Sequence, residues 1–139
     1  MPFEPDILIN TPAGRVMVIE AKVAMHDFPR TEEALKQYMV DMQYPFGLLV
    51  TPEKVRVYRD SYSSLSPASV EQVEEFDGAW IWRQNPPRQG SEFEAFVQQW
   101  IENLVDFPVE SLPQQFKDIV RLYVLPAIAA GEVRAAHPR

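Results

Sequence analysis

The chain has 139 residues and a mass of 16.0 kDa, room for one domain that buries roughly 68% of the surface its unfolded chain exposes. Hydrophobic residues make up 46% and charged residues 24%, which excludes disorder as the main state. There is no cysteine, so disulfide scaffolds, thiol catalysis and cysteine zinc sites are excluded as well. The net charge of -7, from 13 basic and 20 acidic residues, argues against tight, non-specific nucleic-acid binding by the whole surface. It leaves room for a site built of carboxylates. Acidity grows along the chain: residues 1–60 hold 9 acids and 7 bases, residues 61–139 hold 11 and 6. No apolar stretch reaches the roughly 18 residues of a membrane span, and no basic-then-apolar leader opens the chain; both point to a cytoplasmic protein with no membrane partner.

Two β-branched runs, Ile7-Leu8-Ile9 and Val16-Met17-Val18-Ile19, flank Thr11-Pro12-Ala13-Gly14-Arg15 and predict two strands joined by a tight turn. Their near-continuous apolar character predicts strands covered on both faces. After a loop at residues 26–30, Thr31 is a candidate N-cap for a helix carrying Leu35, Tyr38, Met39 and Met42 at helical spacing, stopped by Pro45. Phe46–Val50 reads as a buried strand, Thr51-Pro52-Glu53 as a turn, and Lys54–Arg59 as an alternating strand. The order through residue 60 is β-β-α-β-β. Residues 61–90, rich in Ser and Pro, read as an irregular connection containing a solvated acidic run (Glu71, Glu74, Glu75, Asp77). Two packing helices follow. One starts at a capping box, Ser91 to Glu94, with an apolar stripe from Phe93 to Val105. The other runs from about Ser111, with Phe116, Ile119, Val120, Tyr123 and Val124 on one face, and ends near Pro126 and Gly131.

The stretch that carries chemistry is Pro5-Asp6 followed by Glu20-Ala21-Lys22. Glu20 and Lys22, two apart on a strand, project from one face. A three-residue loop at Pro12-Ala13-Gly14, with Gly14 left-handed, pairs Thr11 with Arg15 and sets Asp6 opposite Glu20. Two like charges facing each other destabilise a sheet unless something compensates, most simply a divalent cation. Mg²⁺ suits carboxylate oxygens, the Ala21 carbonyl is a candidate third ligand, and Lys22 beside it would polarise a water and offset phosphoryl charge.

With an apolar strand before Glu20 and the helix and two strands after Lys22, the pattern resembles the PD-(D/E)XK nuclease superfamily. It is most similar, over Phe3 to Arg59, to the N-terminal nuclease domains of type I restriction-enzyme R subunits. The resemblance implies an α/β, restriction-endonuclease-like core with a mixed β-sheet followed by C-terminal helices, and hydrolysis of DNA with Mg²⁺ or Mn²⁺. It further implies Asp6 and Glu20 as metal ligands, Lys22 as catalytic lysine, and Gln37 and Tyr38 as site residues on the following helix. Relatives carry a glutamate-bearing helix ahead of the Pro-Asp, whereas five residues precede Asp6 here; Glu92 or Glu94 is a candidate replacement, with capping as the competing role of Glu94. A second reading is a non-catalytic or N-terminally shortened relative serving as an interaction or dimerisation module. A homodimer and a restriction-modification or helicase partner are further expectations. Lys54, Arg56 and Arg59 are either phosphate contacts or the charges of a protected edge strand. His26 is a loop histidine near the site, and Trp80 and Trp82 are packing residues before they are base-stacking ones.

Overall fold

The computed structural model describes residues 4–82, 84–130 and 133–136, with the Trp80 side chain outside that description. It is an α/β protein built on one mixed six-stranded sheet, ordered β5-β4-β3-β2-β1-β6. The strands are β1 (Ile7–Thr11), β2 (Gly14–Ala21), β3 (Phe46–Val50), β4 (Lys54–Asp60), β5 (Val70–Asp77) and β6 (Val133–Ala135). Only β2 and β3 pair in parallel; every other neighbouring pair is antiparallel. Helix α1 (Phe28–Met42) provides the crossover that parallel pairing requires.

The central strands are buried on both sides, as their continuous apolar runs predict. Ile7, Ile9, Met17, Ile19, Leu48 and Val57 belong to one core, covered by the C-terminal helices. Leu8, Val18, Leu49 and Tyr58 belong to the other, closed by Leu35 and Met39 of α1. Alternation along each strand divides the side chains between these two layers. A polar anchor fixes α1 on its layer: the Tyr58 hydroxyl donates to Glu32 at 2.5 Å, and Glu32 pairs with Lys36 at 3.9 Å. Burial and the Glu32 acceptor push ionisation of that hydroxyl well above its ordinary range.

Several boundaries differ from the sequence expectation. Asp27, not Thr31, caps α1, accepting from the Arg30 N–H at 3.3 Å, and Pro29 sits in the first turn, where no N–H is needed. The helix ends before Pro45 because Gln43 turns left-handed (φ 59°) and Tyr44 N–H returns to the Met39 carbonyl at 2.9 Å. The acidic run is not an irregular connection but strand β5, paired with β4 from Lys54↔Asp77 to Asp60↔Val70. β5 is therefore the sheet edge and β4 lies inside it, so the basic residues of β4 are not edge protection. Strand β6 went unpredicted; three residues pairing with β1 are too few for a periodic signal.

The C-terminal helices are α2 (Ala79–Trp82), α3 (Gly90–Glu102), α4 (Gln114–Ile119) and α5 (Leu125–Ala130). The expected capping box is not formed: α3 starts at Gly90 with Gln89 at the cap position and no side-chain cap hydrogen bond. Between α4 and α5, residues Val120–Val124 form a π-helical turn, and the chain passes through Pro126 without stopping. The wider turn absorbs the break in the ladder that proline imposes. It also shifts the helical phase, so Tyr123, expected on the buried face, is substantially exposed. The expected stop at Gly131 lies outside the described residues.

Trp82 closes the core over the β3–β4 turn, donating its indole N–H to the Pro52 carbonyl at 2.9 Å. Gly78 lies against this contact, and a Cβ there would stand 2.8 Å from the Pro52 carbonyl oxygen and against the Trp82 indole. Gly78→Ala is therefore expected to destabilise by about 1–3 kcal/mol. Gly90→Ala, where an added Cβ meets nothing within 4 Å, should be neutral or stabilise by about 0.4–1 kcal/mol. Urea unfolding followed by tryptophan fluorescence checks both, and equal midpoint shifts for the two variants would contradict this packing.

Candidate active site

The hairpin of β1 and β2 positions the first carboxylate. Ile7↔Ile19, Leu8↔Val18 and Ile9↔Met17 keep the register that sets Asp6 opposite Glu20. The turn reaches it differently from the expectation: Thr11 pairs with Gly14, not Arg15, and the register slips by one residue between Ile9 and Asn10. Gly14 takes φ +156° at the start of β2 instead of the left-handed turn position. A shorter loop plus a bulge thus gives the same pairing at the far end of the hairpin.

Asp6 lies just ahead of β1. Its N–H donates to the Ile19 carbonyl at 3.1 Å, and its Oδ2 accepts the Ala21 N–H at 2.8 Å. Glu20 registers with Leu49 of β3, a residue of the α1-side core, so its side chain points to that same layer. Lys22 follows the end of β2, held to β3 by its N–H on the Val50 carbonyl at 2.9 Å. Its ammonium stands 3.6 Å from Glu20 Oε1 and 4.0 Å from Asp6 Oδ2. The carboxylate side chains are only 3% and 4% exposed, whereas that of Lys22 is 44% exposed. Two buried acids thus share one cation that opens to solvent.

Burial is the main influence on Glu20; the neighbouring Asp6 adds to it, Lys22 opposes it, and the carboxyl is pushed up to about 9. Near neutral pH Glu20 therefore holds a proton in the metal-free protein. Partial burial works against the charged form of Lys22, but Glu20, Asp6 and Glu94 outweigh it and hold the ammonium above its ordinary value. Glu94 on α3, weighed from the sequence both as a cap and as a replacement for the missing upstream glutamate, thus acts electrostatically on this cluster. Its only signal in the sequence was the carboxylate itself. Glu92, also in the first turn of α3, is exposed.

The remaining candidates lie apart from the cluster. Gln37 is exposed and donates to Asp41 at 2.7 Å. Tyr38 stacks on Tyr44 with ring centroids 6.0 Å apart, and the Tyr44 hydroxyl donates to Asn10, at the end of β1 away from Asp6. The structure does not bring Gln37 and Tyr38 to Lys22, because α1 runs roughly 15 Å along the sheet between Phe28 and Tyr38. His26 is exposed. Lys54 and Arg56 lie at the site end of β4, paired with Asp77 at 3.1 Å and Glu75 at 3.0 Å, and Arg56 stacks on Phe28 at 4.4 Å. Arg59 is at the opposite end of β4.

Asp6, Glu20 and the Ala21 carbonyl are an all-oxygen donor set of the kind Mg²⁺ takes, with water completing the shell. Among the described residues, no three His, Asp or Glu side chains converge into a closed metal cage. Also among them, no helix is long and apolar enough to cross a membrane. Comparison with family models, with curated proteins and with solved structures returns no match to this chain.

A raised Glu20 has a thermodynamic consequence. The folded protein keeps this proton up to about pH 9, whereas the unfolded chain releases it near 4.5, so metal-free stability falls as pH rises across that window. Glu20→Gln removes the slope. At pH 8.5 the variant is expected to melt at least about 3 °C above the wild type, the shift that roughly 1 kcal/mol produces in a domain of this size, and the gap should shrink at pH 5. Thermal melts in a chelator check this; a gap that does not change with pH would mean that Glu20 ionises normally.

Proposed function

We propose that this chain is a restriction-endonuclease-like, metal-dependent phosphodiesterase of the PD-(D/E)XK type, acting on DNA. One observation carries the reading: Lys22 bridges two buried carboxylates from opposite strands of the hairpin, in the Asp6, Glu20, Lys22 pattern whose resemblance suggested nucleolytic chemistry. Asp6 and Glu20 would hold Mg²⁺ or Mn²⁺, with the Ala21 carbonyl as a further oxygen donor. When bound, the cation supplies charge stabilisation at the phosphoryl group and a more acidic water. To serve as a ligand Glu20 would release its proton to solvent. Lys22, charged and partly open to solvent, orients the attacking water and offsets negative charge developing on the phosphate. The Ala21 N–H fixes Asp6, so one of its oxygens is already aligned. The Glu94 carboxylate of α3 adds to the negative field that keeps Lys22 charged.

A second reading has its own support. The Lys22 ammonium and the Ala21 N–H already compensate the Asp6 carboxylate, and Glu20 is accommodated beside them as a protonated carboxyl, so the cluster is complete without a cation from outside. In that case the domain is a non-catalytic interaction module of the same fold.

The two readings separate in one experiment. Linear, circular, single-stranded and branched DNA are incubated with Mn²⁺ or Mg²⁺ and with wild type or Lys22→Ala, each checked for folding by circular dichroism. Cleavage that falls at least about 100-fold in the variant, the scale of losing one transition-state donor, supports the nuclease. A folded wild type that cuts none of them supports the module. Mn²⁺ binding by calorimetry, lost in Glu20→Gln, is the companion expectation.

A further inference from the structure

The concave surface beyond Lys22 bears on the form of the substrate. Three hollows follow one another from the β3–β4 turn, each sharing a lining residue with the next. The first, of about 360 Å³, lies beside the residues that follow Lys22, between Val23, Thr51, Lys54 and Arg56. Glu53 also lines the second, of about 520 Å³, together with Asp77, Gln84 and Arg88. Trp82 and Gln84 in turn line the third, of about 200 Å³. The third is aromatic. Trp82 and Trp100 are buried and form its floor, ring centroids 5.1 Å apart and edge-to-face; Phe96 and Phe107 are half-buried and form its sides. Its rim is exposed amide, with Gln99 donating to Asn103 at 3.2 Å.

This cavity is smaller than the roughly 300–1,000 Å³ that encloses drug-sized ligands, so it takes one small ring system. Aromatic sides fit the face of a planar ring, and primary amides at the rim offer both donors and acceptors to its edge. The path from Lys22 carries Lys54, Arg56 and Arg88, each paired with an exposed carboxylate of β5 or the turn. The Arg88–Glu53 pair is exposed on both sides and the Lys54–Asp77 pair largely so, and exposed pairs are weak, so a phosphate can compete for these two cations; Arg56 is more covered and is held on the Phe28 ring. The track is charge-balanced at rest, three cations against Glu53, Glu75 and Asp77; with its exposed pairs opened by a phosphate it would hold a single strand in the usual way, backbone on the charges and base on the ring. A base inside a duplex cannot enter such a seat without leaving its stack.

Building on the nuclease reading, we propose that the substrate is single-stranded nucleic acid, or a single-stranded segment of a branched one, and that the aromatic cavity seats an unstacked base of the strand that passes over the β3–β4 turn. Phe96, packed edge-to-face on Trp82 and stacked on Phe93, and Phe107 line the seat, and Gln99 and Asn103 offer the edge contacts. Lys54 and Arg56 guide the intervening backbone over the β3–β4 turn.

The test measures binding of a mixed-sequence 20-nucleotide DNA strand, its duplex, and the same strand made wholly abasic, to the full chain carrying Lys22→Ala in a chelator. The readouts are fluorescence anisotropy of labelled DNA and quenching of the protein's tryptophans. The expected result is at least tenfold tighter binding of the single strand than of the duplex, with quenching that the abasic strand does not produce. Phe107→Ala should lower single-strand affinity about tenfold, and the exposed Gln99→Ala/Asn103→Ala pair, which leaves the core intact, about threefold. Equal affinity for strand and duplex, quenching by the abasic strand, or rim variants that bind as well as their parent would overturn the proposal. Lys22-dependent duplex cleavage without base-dependent quenching removes this substrate assignment and leaves the nuclease standing. Base-dependent quenching without cleavage by the wild type does the reverse.

Discussion

The constraint around which the rest of this structure is arranged is the burial of two carboxylates at one end of a sheet. Taking a carboxylate out of water costs several kcal/mol unless charge and hydrogen bonds compensate. Asp6 is compensated by the Ala21 N–H and by Lys22. Glu20 has the Lys22 ammonium 3.6 Å from Oε1 and is stabilised in its protonated form by burial and by Asp6 beside it. Each compensating group depends on a backbone pairing. The hairpin register brings Asp6 alongside Ala21, and the parallel pairing of β2 with β3 fixes where the chain leaves the sheet at Lys22. Moving either pairing by one residue would turn Glu20 into the opposite core.

That same end of the sheet is where the topology leaves space. In open α/β sheets, ligands bind outside the carboxyl ends of parallel strands, where the connections turn away. Here the carboxyl ends of β2 and β3 lie side by side, the one followed by Lys22 and the crossover into α1, the other by the Thr51–Glu53 turn. At the opposite end, Arg59, Asp60 and Tyr62 border a larger hollow. Buried Asp60 fixes the loop there by accepting from the Tyr62 N–H and the Ser69 hydroxyl. Its carboxylate is committed to holding a turn, whereas the Asp6, Glu20 and Lys22 cluster meets solvent through Lys22. Burial of an acid alone does not distinguish the two ends; the direct pairing of Asp6 and Glu20 with a lysine that opens to solvent does.

How much of this was legible in the sequence follows from how local each determinant is. The hairpin, the buried β3 and the core face of α1 were readable because their apolar periods are long and their breakers strong. The Asp6, Glu20 and Lys22 grouping was readable for the same reason, since a strand period and a turn suffice to place it. The turn itself was misread, and the bulge that restored the register has no residue signature apart from Gly14. Strand β5 was hidden because a sequence such as Val-Glu-Gln-Val-Glu-Glu has too few apolar residues to look like a strand until cations from β4 face it. The cluster's third acid, Glu94, comes from a helix more than seventy residues further on, and no local pattern reports such proximity. The resemblance placed Gln37 and Tyr38 at the site by position along a helix, but the direction in which α1 runs carries Tyr38 to the other end of the sheet.

The acidic edge also explains how a chain of net charge -7 can present a cationic path. Glu75 and Asp77 of β5 hold Arg56 and Lys54 across the strand pair, and Arg56 is further seated on the Phe28 ring. The carboxylates protect an exposed strand edge from pairing with other chains and at the same time orient the cations of β4. Because Glu75 and Asp77 are exposed, their attraction is screened and small, so the cations stay available to an anion that arrives in register. The long-range field of the protein repels a polyanion, which removes the non-specific electrostatic binding that a basic surface provides. For the nucleic-acid substrate proposed above, discrimination would then fall on contacts made at close range, at Lys22 and along the β3–β4 turn, where shape and charge must match together. An acidic protein with a few pre-oriented cations is suited to selecting one form of nucleic acid at the expense of binding every form tightly.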